Sequence, residues 1–143
     1  MKHRINGNFI IAKLEKDEDL MFQIENLAII YKINAGIILS GIGMLKNFEV
    51  GYFNGSNYDT ISVNDRYELV SMHGSITKNE PKLHIHVGLA SPKKELIGGH
   101  LIKAIVDPQV ELTILKIDGS FSRVYNPITN LKEFDPTKWV IIY

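Results

Sequence analysis

The 143-residue sequence contains no cysteine. This absence excludes disulfides and thiolate metal ligands, so a metal site built from the chain's own side chains has to use His, Asp or Glu. The apolar runs are far shorter than the roughly 20 residues that a membrane-spanning helix needs. The segment Met1–Asn8 also lacks the apolar run of a signal peptide. We therefore expect a cytoplasmic protein that does not enter the membrane.

The chain has no excess of charge of either sign. Sixteen Lys and Arg residues balance sixteen Asp and Glu residues, which gives a formal net charge of zero at pH 7. Proteins that bind duplex DNA through many phosphates usually carry a basic surface. The basic clusters here, Lys2-His3-Arg4 and Lys93-Lys94, are short. Composition therefore argues against strong nucleic-acid binding.

The length and composition suit a single globular domain. Hydrophobic residues make up 45% of the chain and charged residues 22%, which are ordinary values. No internal repeat, low-complexity stretch or linker divides the sequence. We expect one domain over residues 1–143, with a core at 9–118 and a C-terminal extension at 119–143. The extension ends in the apolar, β-prone run 139–143, which we expect its own domain or a neighbouring subunit to cover.

The pattern of apolar residues predicts one helix and many strands. The acidic residues Asp17, Glu18 and Asp19 precede apolar residues at helical spacing, so a helix is expected from there to about Asn34. Short β-prone runs follow, and Asn54-Gly55 is typical of a hairpin turn. The predicted strands are 9–14, 35–40, 46–53, 58–63, 67–72, 83–90 and 110–117. This order predicts an α+β fold, a mostly antiparallel sheet covered by one main helix.

Two further segments are ambiguous from the sequence. In the segment Ser40-Gly41-Ile42-Gly43, the glycines predict a bulge or a tight turn, and the alternative is a nest of backbone N–H groups for an anion. The segment 101–106 is either a strand or a short helix, and Asp107-Pro108 is expected to end it.

The strand at 83–90 carries the best functional signal. Leu83, Ile85 and Val87 alternate with His84 and His86, so one face is apolar and the other presents two imidazoles. Same-face neighbours on a strand lie roughly 6.6–6.8 Å apart, close enough for both rings to tilt toward one point.

A third histidine, His100, follows the Gly98-Gly99 pair, which is expected to fold the chain back beside that strand. Three histidines in one pocket would form a zinc site with an open position for water. The alternative is a set of pocket or interface histidines hydrogen-bonded to their neighbours. No general base is apparent, because nothing fixes Glu95, the nearest acidic residue in the sequence. Arg123 is expected either to pair with a carboxylate or an anionic ligand, or to lie in solvent.

Five segments, in this order, make the sequence resemble the PPC domain (plants and prokaryotes conserved). They are Glu18-Asp19-Leu20, Ser40-Gly41-Ile42-Gly43, Leu69-Val70-Ser71-Met72-His73-Gly74-Ser75-Ile76, His84-Ile85-His86 and Gly98-Gly99-His100-Leu101. The resemblance covers most of the chain, from Ile10 to about Ile117. In two places the chain departs from the family pattern, with Ser75 where Asn is frequent and Asn130 where Gly is usual.

The resemblance implies a compact α+β domain that assembles as a homotrimer. Members of the family are traditionally named for DNA binding. In plant members an AT-hook, an Arg-Gly-Arg-Pro-type element, precedes the domain, and this chain contains no such element. The favoured hypothesis is therefore a non-enzymatic trimeric interaction module associated with DNA or transcription, which binds DNA weakly if at all. The alternative hypothesis is a small zinc-dependent enzyme that uses His84, His86 and His100.

Overall fold

The computed structural model describes residues 1–135, which form nine strands and one helix. The apolar run 139–143 lies outside the described residues. The elements are β1 (Lys2–Asn6), β2 (Phe9–Glu15), α1 (Leu20–Ile30), β3 (Ala35–Phe53), β4 (Tyr58–Val63), β5 (Tyr67–Thr77), β6 (Leu83–Ala90), β7 (Leu96–Lys116), β8 (Ser122–Asn126) and β9 (Leu131–Asp135).

Helix α1 begins where the sequence predicts, but it ends at Ile30, about one turn before the predicted end near Asn34. The Asp19 carboxylate accepts a hydrogen bond from the Phe22 amide at 3.0 Å, which satisfies one of the free N–H groups of the first turn. The residues of α1 that face the sheet are fully or almost fully buried: Leu20, Ile24, Leu27 and Ala28. They share one hydrophobic core with the inward residues of the strands, so the helix covers one face of the sheet.

Seven strands form one antiparallel sheet in the order β1-β2-β7-β6-β5-β3-β4. An additional pairing between β7 and β3 closes β3, β5, β6 and β7 into a ring. Strands β8 and β9 form a separate two-stranded hairpin. This arrangement confirms the predicted α+β class with a mostly antiparallel sheet and one helix. No helix within residues 1–135 has the length and apolar character needed to cross a bilayer.

Strand β3 is one strand of 19 residues, although the sequence predicted two strands. Its register against β7 shifts at several points, including between Ile38 and Ser40 and between Gly43 and Leu45. These bulges let the strand bend without ending. The bulge interpretation of Ser40–Gly43 is therefore correct, and the strand continues through it.

The prediction that Asp107-Pro108 ends a strand is wrong, because β7 runs without interruption from Leu96 to Lys116. The ladder between β3 and β7 skips this point, passing from the Leu45–Val106 pair to the Gly43–Val110 pair. Proline has no N–H to donate and is tolerated in a sheet at such irregularities. The segment 101–106, which was ambiguous from the sequence, is accordingly part of a strand.

Candidate metal centre

Strand β6 places His84 and His86 on the face opposite the core. The alternating residues Leu83, Ile85, Val87 and Leu89 are buried, as the sequence predicts. The neighbouring strand β5 presents Ser75 opposite His84 and His73 opposite His86. The two imidazoles thus point away from the hydrophobic core, and metal binding there does not compete with packing.

His100 reaches the same face from β7, where it pairs directly with His86. The chain reverses at the Ser91–Glu95 turn, which closes with a 2.9 Å hydrogen bond from the Ser91 amide to the Glu95 carbonyl. The expectation that Gly98-Gly99 makes this reversal is therefore wrong, since both glycines lie inside β7.

Gly98 and Gly99 are needed for close approach between strands. A Cβ atom at Gly98 would lie 2.3 Å from the Val87 carbonyl oxygen, and one at Gly99 would lie 2.6 Å from the Gly51 carbonyl oxygen. The φ angle of Gly99 is +154°, which side-chain-bearing residues rarely adopt. The pair thus lets β7 lie tightly between β6 and β3 just before His100.

The three histidines form a compact cluster. One ring nitrogen from each of His84, His86 and His100 lies within 4.8 Å of the other two. The Nε2 atoms of His84 and His86 are 3.1 Å apart. Two nitrogens bound to a tetrahedral zinc ion at 2.0–2.1 Å are separated by roughly 3.3 Å, so small ring movements would fit the ion. Within residues 1–135, no carboxylate belongs to this cluster.

The electrostatic environment favours the neutral imidazoles of His84 and His100. Burial, followed by the nearby His100, Arg123 and His86, lowers the pKa of His84 to about 4. Burial also lowers the pKa of His100, with further contributions from His86 and Arg123. A metal ion binds the neutral ring, so both shifts keep ligands available at lower pH than for a solvated histidine.

One buried atom of the cluster lacks a hydrogen bond. The Nδ1 atom of His100 has no partner within residues 1–135, although it is shielded from solvent. Buried polar atoms without partners are uncommon and frequently mark a bound water or ion. Together with the purely imidazole donor set, this atom indicates that the cluster suits a divalent ion such as zinc.

A cavity of about 410 Å³ lies beside the cluster, under the β8–β9 hairpin. It is lined by His84 and His100 together with Tyr58, Pro81, Leu83, Arg123 and residues 130–134. The hairpin is held in place by Asn79, whose side chain accepts from the Arg123 amide and donates to the Arg123 carbonyl, both at 2.8 Å. The hairpin thus brings Arg123 to the histidine face.

Arg123 itself is buried, with 6% of its surface exposed. Its Nε donates to the Pro81 carbonyl at 2.9 Å and its Nη2 to the Ser75 hydroxyl at 2.8 Å. The sequence marks Arg123 as a candidate, but it contains no pattern that marks Asn79 or Tyr58. Their roles depend on how the hairpin folds back, and no local sequence pattern signals this. Ser75, a departure from the family pattern, serves as the acceptor for Arg123.

The segment Ser40–Gly43 does not contribute to this site. Ser40 is paired with Thr113 and Gly41 with Leu112, in the middle of the sheet. A Cβ at Gly43 would lie 2.1 Å from the Gln109 carbonyl oxygen, so a neighbouring strand fills the space that an anion would need. His73 faces His86 across the β5–β6 ladder but is not part of the three-histidine cluster.

Comparison with known proteins supports the family resemblance. The profile of the Plants and Prokaryotes Conserved (PCC) domain, the PPC domain named above, matches residues 1–118. A search of curated proteins finds no match.

Solved structures share the fold over nearly their whole length. A PPC protein from Pyrococcus horikoshii is 28% identical, with a TM-score of 0.81, over 92% of this chain and 94% of that one. A metal-containing protein from Archaeoglobus fulgidus is also 28% identical, with a TM-score of 0.81, over 93% and 96% of the two chains. A candidate DNA-binding protein from Bacteroides thetaiotaomicron is 23% identical, with a TM-score of 0.89, over 96% and 98%. The chain belongs to the Plants and Prokaryotes Conserved domain family.

Proposed function

We propose that the chain is a homotrimeric PCC-domain protein that binds a zinc ion through His84, His86 and His100. The observation that carries the metal assignment is the convergence of three imidazole nitrogens within 4.8 Å of one another, on a face that packs no core. The metal-containing Archaeoglobus relative supports the same assignment. Three protein ligands would leave a fourth coordination position for water or another ligand, and His84 and His100 border the cavity.

Metal analysis of protein purified without a histidine tag tests this proposal. We expect one zinc ion per chain at pH 7, measured by elemental analysis and confirmed by calorimetric titration of metal-free protein. Zinc binding should weaken as the pH falls, because protons compete for the ring nitrogens. Because burial lowers the pKa values of His84 and His100, protons should compete for these two ring nitrogens only at a lower pH than for solvated histidines. Protein that takes up no zinc at pH 7 would contradict the proposal.

The homotrimer is supported by exposed apolar side chains on the outer face of the sheet. Phe9, Ile11 and Ile42 are 47%, 44% and 49% exposed on the face opposite the core. The registers of β2, β3 and β7 place them in adjacent rows of this face, with Thr113 and Glu111 of β7 between Ile11 and Ile42. Apolar surface of this kind is typical of an interface between subunits.

We expect light scattering to give three times the chain mass. The substitution Ile11→Glu should shift the protein toward monomer, because it places a charge in the apolar face. The matched control is Phe22→Glu, at a 63% exposed position on α1. A wild-type protein that remains monomeric at micromolar concentration would remove the trimer from the proposal.

An association with DNA is the second candidate function, suggested by the name of the Bacteroides relative. The exposed residues Lys2, His3 and Arg4 on β1 form a small basic strip, but the whole chain has zero formal net charge. We expect binding to duplex DNA at physiological salt to be about micromolar or weaker and to have little sequence preference. Fluorescence anisotropy with two unrelated duplexes measures both the affinity and the sequence preference. Nanomolar binding to one duplex alone would show that the charge argument is wrong.

Zinc-dependent hydrolysis is the alternative that the cavity beside the histidines favours. A zinc ion at this site would lower the pKa of a bound water to about 7. Glu133 lines the cavity, but its carboxylate accepts hydrogen bonds from Asn126 and Thr129 at 2.9 and 2.6 Å. Glu95 lies in the turn between β6 and β7. Neither carboxylate is placed as a general base, so the metal-binding module remains the proposal.

A further inference from the structure

Arg123 is a buried cation that lines the cavity beside the histidines. Its side chain is 6% exposed, and no carboxylate within residues 1–135 forms an ion pair with it. Two of its three guanidinium nitrogens are bonded to the Pro81 carbonyl and the Ser75 hydroxyl. A buried charge is costly unless an opposite charge pairs with it, so the guanidinium calls for an anion.

The position of Arg123 places that anion at the histidines. Ser75, which accepts from Nη2, lies directly opposite His84 in the β5–β6 ladder. Arg123, His84 and His100 line the same cavity. A metal ion on the histidines would add two positive charges to those of Arg123 and Lys132, against the single carboxylate of Glu133. The occupied site would therefore attract a ligand of negative charge.

The rest of the cavity is apolar. Apart from Asn130, its wall is formed by Tyr58, Pro81, Leu131 and Phe134, with Leu83 lining it from the core side. The Tyr58 ring lies against the His100 ring, with centroids 4.8 Å apart and planes 30° from parallel. The volume of about 410 Å³ falls in the usual range for small-molecule sites. A flat apolar group would pack beside Tyr58, whereas a bare inorganic anion would leave most of the wall uncovered.

We propose that this cavity binds a small organic acid, with its carboxylate between the metal ion and the Arg123 guanidinium and its apolar body against Tyr58. The proposal rests on the proposed zinc site and adds to it the chemical class of the ligand. Arg123 thus selects the negative charge, and the hairpin that carries Arg123 forms the cover of the ligand site.

The test uses benzoate, acetate and inorganic phosphate as probes of full-length protein. Zinc affinity is measured first by calorimetry. The protein is then loaded with Co²⁺, whose visible absorption reports a change of ligand, and each anion is titrated. We expect benzoate to change the Co²⁺ spectrum and to bind more tightly than acetate or phosphate. Arg123→Met should weaken benzoate binding by about tenfold or more, as expected for the loss of one charge-assisted hydrogen bond, with zinc affinity retained.

Two further variants keep the test decisive if Arg123→Met fails to fold. Tyr58→Ala should weaken benzoate by about threefold or more and leave acetate unchanged, because only benzoate uses the apolar wall. Arg4→Met, at an exposed position on β1, is the matched control and should leave both anions unchanged.

The outcomes separate the two proposals. If the wild-type protein does not bind zinc, the proposed function fails and the ligand assignment fails with it. If zinc binds but no anion alters the Co²⁺ spectrum, only the ligand assignment is overturned. Equal benzoate affinity in a folded Arg123→Met variant would overturn the role of Arg123. Arg123-dependent binding of phosphate in preference to benzoate would overturn the assignment to an organic acid.

Discussion

The substitution His86→Ala is expected to abolish stoichiometric zinc binding while leaving the fold intact. His86 contacts both other members of the cluster: its Nε2 lies 3.1 Å from that of His84, and its ring centroid lies 5.7 Å from that of His100. Removing a hydrogen bond to a metal ligand typically weakens binding by about 10- to 100-fold, so loss of a ligand should exceed this range. Calorimetric titration with zinc and the circular dichroism spectrum measure the two effects.

His73→Ala is the matched control for this experiment. His73 lies opposite His86 in the β5–β6 ladder and is exposed on the same face, but it does not belong to the cluster. We expect the His73→Ala variant to bind zinc with the same affinity as the wild-type protein. Without metal, both variants should unfold within about 0.5 kcal/mol of the wild type, because neither side chain packs in the core. Equal zinc affinity of the two variants would place the metal elsewhere.

The substitution Gly43→Ala is expected to destabilise the protein by about 3 kcal/mol or more. A Cβ at this position would lie 2.1 Å from the Gln109 carbonyl oxygen and 2.9 Å from the Val110 Cα, and both are backbone atoms that cannot rotate away. The φ angle of +148° adds a conformational cost for any residue with a side chain. Forced separation of β3 from β7 would disturb the pairing that closes the ring of strands. Chemical denaturation measures the change in the free energy of unfolding.

The substitution Gly7→Ala separates the steric contact from the conformational cost of a positive φ angle. Gly7 also has a positive φ, +57°, but no atom lies within 4 Å of the Cβ position. Its substitution should cost about 1 kcal/mol, the conformational contribution alone. Equal effects at Gly7 and Gly43 would show that the contact with Gln109 is not the main cause.

Local patterns predicted the elements of this fold better than their connections. The acidic residues before Leu20 and the alternation around His84 and His86 specify a helix and a strand through contacts between near neighbours, and both are observed. The strand β1 was not predicted, because all of its residues are exposed and none forms an apolar pattern. The continuity of β3 and β7 was missed because glycine and proline usually interrupt strands. Here, bulges shared by the two strands accommodate them.

The candidate site was predictable in part, because local sequence patterns position its histidines. The three histidines lie close in sequence, and strand periodicity alone brings two of them to one face. Arg123 joins them through the Asn79 side chain, the Pro81 carbonyl and the Ser75 hydroxyl, which all bind it across more than 40 residues of chain. Such pairings depend on the tertiary fold, and a single sequence contains no periodic signal for them.

The pairing of β2 with β7 has a consequence for synthesis of the protein. Ile10 lies opposite Ile114, so β2 is synthesised well before the strand that it pairs with. Contacts between residues so distant in sequence slow folding, because a long loop must close before they form. Until then the apolar side of β2 stays uncovered on the ribosome. We therefore expect folding to be largely post-translational, and early termination before residue 110 to yield aggregation-prone chains rather than a smaller stable domain.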